Sequence, residues 1–210
     1  MGAQRRTALL STLLPFAVVA AAWLFLVTYG TWDLVEEEWL SATYDSLAQS
    51  LVRGEATVDP DAIQWEGIKV GDKVYTYHAP FPALLRIVPN LLFPEMYARW
   101  ARISCLLAAL LGGLACCLLL LRASSVNPTL TGRQREWLVA LSVVGFGLGA
   151  PMAYLVSSAR IYHEPILWGL AFSMVGLWLT LGAIEGGDRV GWVLVGLALC
   201  VAGGVLSRLT

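Results

Sequence analysis

Five stretches of this chain, 8–29, 103–121, 137–159, 166–184 and 190–206, contain no Asp, Glu, Lys, Arg or His. A bilayer core about 30 Å thick is crossed by roughly 20 apolar residues of helix, so runs of this length read as membrane spans. Composition agrees: 58% of the residues are hydrophobic and only 14% charged, against about 25% charged in ordinary globular proteins. The formal net charge of −1 gives no electrostatic footprint for nucleic acid. Cys105, Cys116, Cys117 and Cys200 all lie inside apolar runs and lack metal-site spacing, which argues against a disulfide framework or a zinc site.

Orientation follows from the cations. Arg5 and Arg6 precede the first run, and Arg122, Arg133 and Arg135 fill the link between the second and third. With alternating spans both segments share a side, which the positive-inside rule makes cytoplasmic. The first run exceeds the 7–15 residues usual for a signal peptide core, so it reads as an uncleaved anchor. Segment 30–95 then lies outside, with eleven of the fifteen acids and four cations. Arg99 and Arg102 at the outer start of the second span oppose this mildly and are accommodated by snorkelling. Trp32, Trp100 and Trp137 suit an aromatic belt. The expected fold is an all-α polytopic membrane protein with about five transmembrane helices. Its large extracytoplasmic first loop would hold juxtamembrane helices and a small β-hairpin. Ser207-Arg208-Leu209-Thr210 directly follows the fifth run, which suggests an N-terminal piece of a longer protein.

Within the polar segment, Asp33-x-x-Glu36 has the spacing of a helix cap and its capping-box partner. The pattern predicts a helix over 34–53, ended by Gly54. Leu40, Tyr44, Leu47 and Leu51 would form its single apolar stripe. Glu38 and Asp45 would lie off the same flank, about 10 Å apart, on a helix resting at the membrane surface. Ile63-Gln64-Trp65-Glu66-Gly67-Ile68 and Lys73-Val74-Tyr75-Thr76-Tyr77 alternate as strands do, with Gly71-Asp72 as the hairpin turn. His78-Ala79-Pro80-Phe81-Pro82 breaks the pattern, and a second short helix is expected over 83–88.

This order of features resembles the GT-C superfamily of integral-membrane glycosyltransferases, which includes protein O-mannosyltransferases and bacterial aminoarabinose transferases. Tyr44-Asp45-Ser46-Leu47-Ala48-Gln49 through Arg53-Gly54-Glu55 is similar to their loop pattern of an acid, Tyr, Ala and then Gly with an acid. Lys73-Val74-Tyr75-Thr76-Tyr77-His78-Ala79-Pro80-Phe81-Pro82-Ala83-Leu84-Leu85-Arg86 is similar to their Tyr-x-Pro-hydrophobic continuation. Ala159-Arg160-Ile161-Tyr162-His163-Glu164-Pro165-Ile166-Leu167 occupies the second outer loop, where such enzymes often carry a further acid at the start of the fourth span. The paired Asp-Glu expected before the tyrosine is absent, with Leu40 and Ser41 near its place, so the base stays open among neighbouring acids.

The resemblance implies transfer of a sugar from a polyprenyl-phosphate lipid to an extracytoplasmic acceptor hydroxyl, with inversion, in a bacterial inner membrane. Its partners would be that lipid-linked sugar and membrane lipid, not nucleic acid; the acceptor is unspecified. An acid at the interface serves as general base, with Asp45, Glu38 and Asp33 as candidates. The departing phosphate needs cations or a divalent metal, with Arg86, Arg99, Arg102 and Arg160 as candidates. Glu164 and His163 are candidates for the second acid or a metal ligand.

Plainer roles stand beside these. Asp33 is explained as a cap, Glu36 and Glu37 as first-turn acids, and Glu164 as an acid favoured at a helix start. Arg86 is explained by snorkelling. Ala108-x-x-x-Gly112-x-x-x-Cys116, Gly196-x-x-x-Cys200-x-x-x-Gly204 and the Gly145–Pro151 region read as close packing and a kink in the third span. A transporter is a second class, disfavoured by the absence of charge inside the five runs. A non-catalytic membrane scaffold is a third.

Overall fold

The computed structural model describes residues 3–125, 129–184 and 190–206; the closing residues 207–210, read above as a mark of truncation, lie outside it. In chain order the elements are α1 (Ala3–Val27), α2 (Ala42–Val52), α3 (Pro60–Ile63), a 3-10 turn (Gln64–Glu66), β1 (Ile68–Val70), β2 (Lys73–Tyr75) and α4 (Phe81–Leu92). After a second 3-10 turn (Pro94–Met96) come α5 (Ala101–Ser125), α6 (Gly132–Leu148), α7 (Ala150–Val156), α8 (His163–Ile184) and α9 (Val190–Leu206). The described residues are mostly helical, with one two-stranded antiparallel sheet among them.

Helices α5 and α8 are each long and apolar enough to cross a membrane. Helices α6 and α7 qualify together as a third crossing, broken by a 49° bend. The bend falls in the expected third span and has the expected cause. Gly149 leaves helical geometry at ψ 148°, and Pro151 follows at the start of α7 without an N–H to continue the ladder. The first and fifth expected spans coincide with α1 and α9. Their apolar stretches among the described residues, Leu13–Val27 and Val193–Leu206, fall short of a full crossing.

The long helices pack through small residues. Gly112 of α5 lies so close to α8 that a Cβ there would stand 3.3 Å from the Ala171 Cα. Trp23 of α1 is fully buried, and its indole N–H donates to the Gly147 carbonyl at 2.8 Å. Val19 of α1 fills the space over Gly147, where a Cβ would come within 2.3 Å of a valine methyl. Helix α6 starts on a full capping box, Thr131 with Gln134.

The polar segment has its own small core, in which Leu40, Tyr44, Leu47, Val58, Ile63 and Ala83 meet Ile161 from the turn before α8. Here several expectations change. No helix covers 34–41. Asp33 instead closes an Asx-turn on the Val35 N–H at 2.8 Å, and Leu40 takes φ 59°, so helix geometry begins only at Ala42. Helix α2 does end at Gly54, with φ 76°. It is not a surface helix: Thr43, Tyr44, Asp45, Ser46, Leu47, Ala48 and Ser50 are all buried. Residues 63–66, expected as strand, complete α3 and the 3-10 turn, because Asp59-Pro60 caps a helix there. The hairpin itself pairs Ile68 with Tyr75 and Val70 with Lys73 around Gly71, which has φ 61°. The helix expected over 83–88 extends from Phe81 to Leu92.

The close seat of Val19 on Gly147 yields a direct test. Gly147→Ala should destabilise the protein by about 1–3 kcal/mol through overpacking. Gly132→Ala, in open space at the first turn of α6, should leave thermal unfolding in detergent unchanged or slightly raised.

Candidate functional site

Arginines join the polar segment to the long helices at two places. Arg86 of α4 is 2% exposed and stands between two equally buried carboxylates. Its Nη1 donates to Asp45 Oδ2 at 3.0 Å and to the Ser41 carbonyl at 2.8 Å, and its Nη2 donates to Glu164 Oε2 at 2.6 Å. Asp45 accepts two further bonds, from the Asn90 amide at 2.8 Å and the Ala98 N–H at 3.0 Å. The guanidinium lies 5.3 Å from the centre of the Tyr44 ring, and Tyr44 donates its hydroxyl proton to the Ile161 carbonyl. One cation thus ties α2, α4 and the start of α8 together. Burial pushes the Asp45 carboxyl above its usual range, against the pull of Arg86, Asn90 and Ala98. Burial also opposes the Arg86 charge, but Glu164 and Asp45 outweigh it and hold the guanidinium protonated.

The second junction centres on Arg102 in the first turn of α5. Its Nε donates to Glu38 at 2.6 Å, and its Nη1 reaches Glu36 at 2.8 Å and the Asp33 carbonyl at 2.7 Å. It also lies over the Tyr29 ring. Unlike Asp45, the Glu38 side chain keeps 12% of its surface open and Glu36 keeps 53%. The Arg160 side chain is exposed and makes no hydrogen bond or ion pair with either cluster among the described residues.

The candidate residues therefore divide. Asp45, Arg86 and Glu164 come together in one closed cluster. Glu38 and Arg102 form a separate, partly open one, to which Asp33 contributes its backbone carbonyl while its exposed carboxylate holds the Asx-turn. Glu38 and Asp45, expected on one flank of one helix, serve different arginines. Arg99 is exposed and enters neither cluster. His163 and Glu164 diverge. The histidine Nδ1 lies 2.8 Å from the Ser158 carbonyl, which only accepts, so Nδ1 carries the proton and anchors the turn into α8. Among the described residues no group of three or more His, Cys, Asp or Glu side chains is gathered to hold a metal.

Sequence reasoning passed over Asn90 and the Ala98 N–H, which complete the Asp45 shell, and the Ser41 carbonyl, which accepts from Arg86. It also missed a polar aromatic group in which Glu66 accepts from the Tyr77 hydroxyl and Tyr77 meets Tyr162 at 3.4 Å. Buried His78 sits among Tyr44, Tyr77 and Tyr162. The contacts of Asp45 with Asn90 and Ala98, and of Tyr162 with Tyr77 and His78, join residues far apart in the chain, and spacing carries no signal of them.

Each cluster generates an expected outcome. Arg86→Met strands two buried carboxylates and should cost about 3–5 kcal/mol in chemical unfolding. Arg86→Lys should recover only part of that, because an ammonium lacks the planar fork that serves three acceptors. Burial lowers the His78 pKa, against a smaller upward pull from Glu66. The neutral imidazole therefore contributes stability above the unfolded value near 6.5, and that stability is lost as pH falls through the lower folded value. The thermal midpoint should drop between pH 7 and pH 5, with a shallower drop in His78→Gln.

Comparison with protein families, curated proteins and solved structures finds no match for this chain.

Proposed function

We propose that this chain is part of a membrane glycosyltransferase of the GT-C kind, acting on a polyprenyl-phosphate-linked sugar at the extracytoplasmic face of a bacterial inner membrane. In this reading its amino terminus is cytoplasmic and the five apolar runs all cross. The observation that carries it is the partly open Glu38–Arg102 cluster at the polar end of a helix long enough to cross the bilayer. A lipid-linked donor brings its phosphate to that depth, and a carboxylate beside a cation matches the needs of the reaction. Glu38 takes the acceptor hydroxyl proton as that oxygen attacks the anomeric carbon. The bond from that carbon to the phosphate oxygen breaks, and the lipid phosphate leaves with the electron pair toward Arg102. Attack opposite the leaving group inverts the anomeric centre.

In this assignment Asp45 is a structural acid. It has no exposed surface, and each of its oxygens already accepts a hydrogen bond. A second reading, a non-catalytic membrane scaffold, is favoured by the pairing of Arg102 with both nearby acids and by Leu40 and Ser41 where the family pattern has acids.

The test is transfer of labelled sugar from polyprenyl phosphate in membranes containing the full-length protein. Glu38→Gln should lower the rate by about 10²-fold or more, the usual worth of a general base. Asp45→Asn should reduce the amount of folded protein yet leave the rate per folded molecule within a few-fold of wild type. Full activity in well-folded Glu38→Gln would remove Glu38 as base, and absence of transfer by the wild type would favour the scaffold.

A further inference from the structure

A cleft of about 200 Å³ opens between α4, the first turns of α5 and Trp168 of α8. Arg86, Trp100 and Ser104 supply its polar lining, and Leu85, Ile103 and Leu107 much of its apolar wall. Two donors on residues lining it have no hydrogen-bond partner among the described residues: Arg86 Nε, on a side chain 2% exposed, and Trp100 Nε1. A buried N–H without an acceptor costs about 1–3 kcal/mol, so an acceptor entering the cleft recovers that loss. Ser104 does not serve as that acceptor: its hydroxyl oxygen receives the Trp168 indole N–H at 2.9 Å and is bonded to neither of the two donors.

The surroundings identify what brings the acceptor. Leu85, Val88, Leu91, Leu92 and Phe93 leave α4 with an exposed uncharged face, while its opposite face buries Ala83 and Arg86. A helix of that kind lies in the membrane interface, about 5–10 Å into the boundary between headgroups and acyl chains. Leu107, 53% exposed, continues this apolar surface down α5, one of the helices long enough to cross. At that depth the abundant acceptors are the ester carbonyls of glycerolipids. Charge selects against phosphate here: both Nη atoms of Arg86 are already taken up by Asp45, Ser41 and Glu164, so its positive charge is matched before an anion arrives.

We propose that this cleft binds a diacyl glycerolipid, whose ester carbonyls accept from Arg86 Nε and Trp100 Nε1 while an acyl chain lies along Leu85, Ile103 and Leu107. The site is separate from the Glu38–Arg102 cluster and holds whether or not that cluster transfers sugar. The lipid would seat α4 against α5 from the membrane side, as Arg86 does from within.

The test uses the full-length protein in nanodiscs and a phosphatidylcholine probe carrying a photoreactive diazirine near the ester end of one chain, with labelled peptides mapped by mass spectrometry. Labelling should concentrate on residues 100–107. Unlabelled diester phosphatidylcholine should displace the probe about fivefold better than its diether analogue, the ratio expected from roughly one net hydrogen bond. Trp100→Phe keeps the ring and removes one donor, so it should erase much of that preference at an unchanged thermal midpoint. Equal competition by ester and ether, or labelling spread evenly over all lipid-facing helices, overturns the proposal. A preference that survives intact in Trp100→Phe, or stronger displacement by polyprenyl phosphate than by the diester lipid, overturns it as well.

Discussion

The Arg86 guanidinium bonds at once to Asp45 on α2, the Ser41 carbonyl before it and Glu164 at the start of α8. A charge this deeply buried is tolerated only with its opposite charges and hydrogen bonds in place, so the three elements occupy one relative position or the cluster fails. The small core around Tyr44, Leu47 and Ile63 packs beside it, and Tyr44 places its ring against the cation and its hydroxyl on Ile161. The polar segment is thereby a docked part of the helical assembly, not a loose connection between α1 and α5.

Arg102 makes the second tie on a different principle. Its acids remain in contact with solvent, and it gathers them from a segment without regular structure, 33–38, that follows α1 directly. A network facing water costs little to rearrange, whereas the Arg86 cluster has no solvent to replace a lost partner. This contrast separates a rigid internal strut from a chemically accessible edge. The reactive role proposed here therefore falls on Glu38 and not on Asp45.

Much of the layout was legible in the chain. Uncharged runs locate α5, α8 and the bent α6–α7 pair, Gly149 and Pro151 locate the bend, and Gly54 and Gly71 locate a helix end and a hairpin turn. The errors share a cause. Asp33-x-x-Glu36 has capping-box spacing, but the Arg102 contacts and the left-handed Leu40 hold 33–41 out of helix. Leu40, Tyr44, Leu47 and Leu51 do pack on the small core as their spacing predicts, but the expected surface helix is sunk: Thr43, Asp45, Ser46 and Ser50 are buried too, each supplied with a partner from outside the helix or from its end.

What the sequence determined by itself is local: which stretches lack charge for a length that matches a bilayer, and where glycine or proline forces the backbone to turn. These properties depend on residues adjacent in the chain. Which acid meets which arginine was decided only by tertiary structure. Asp45 and Arg86 are separated by 41 positions and Arg86 and Glu164 by 78, and hydrophobic periodicity does not encode such pairings. The division between a sealed carboxylate and an open one follows from that packing, because solvent reaches a side chain only where the assembled helices leave room for it.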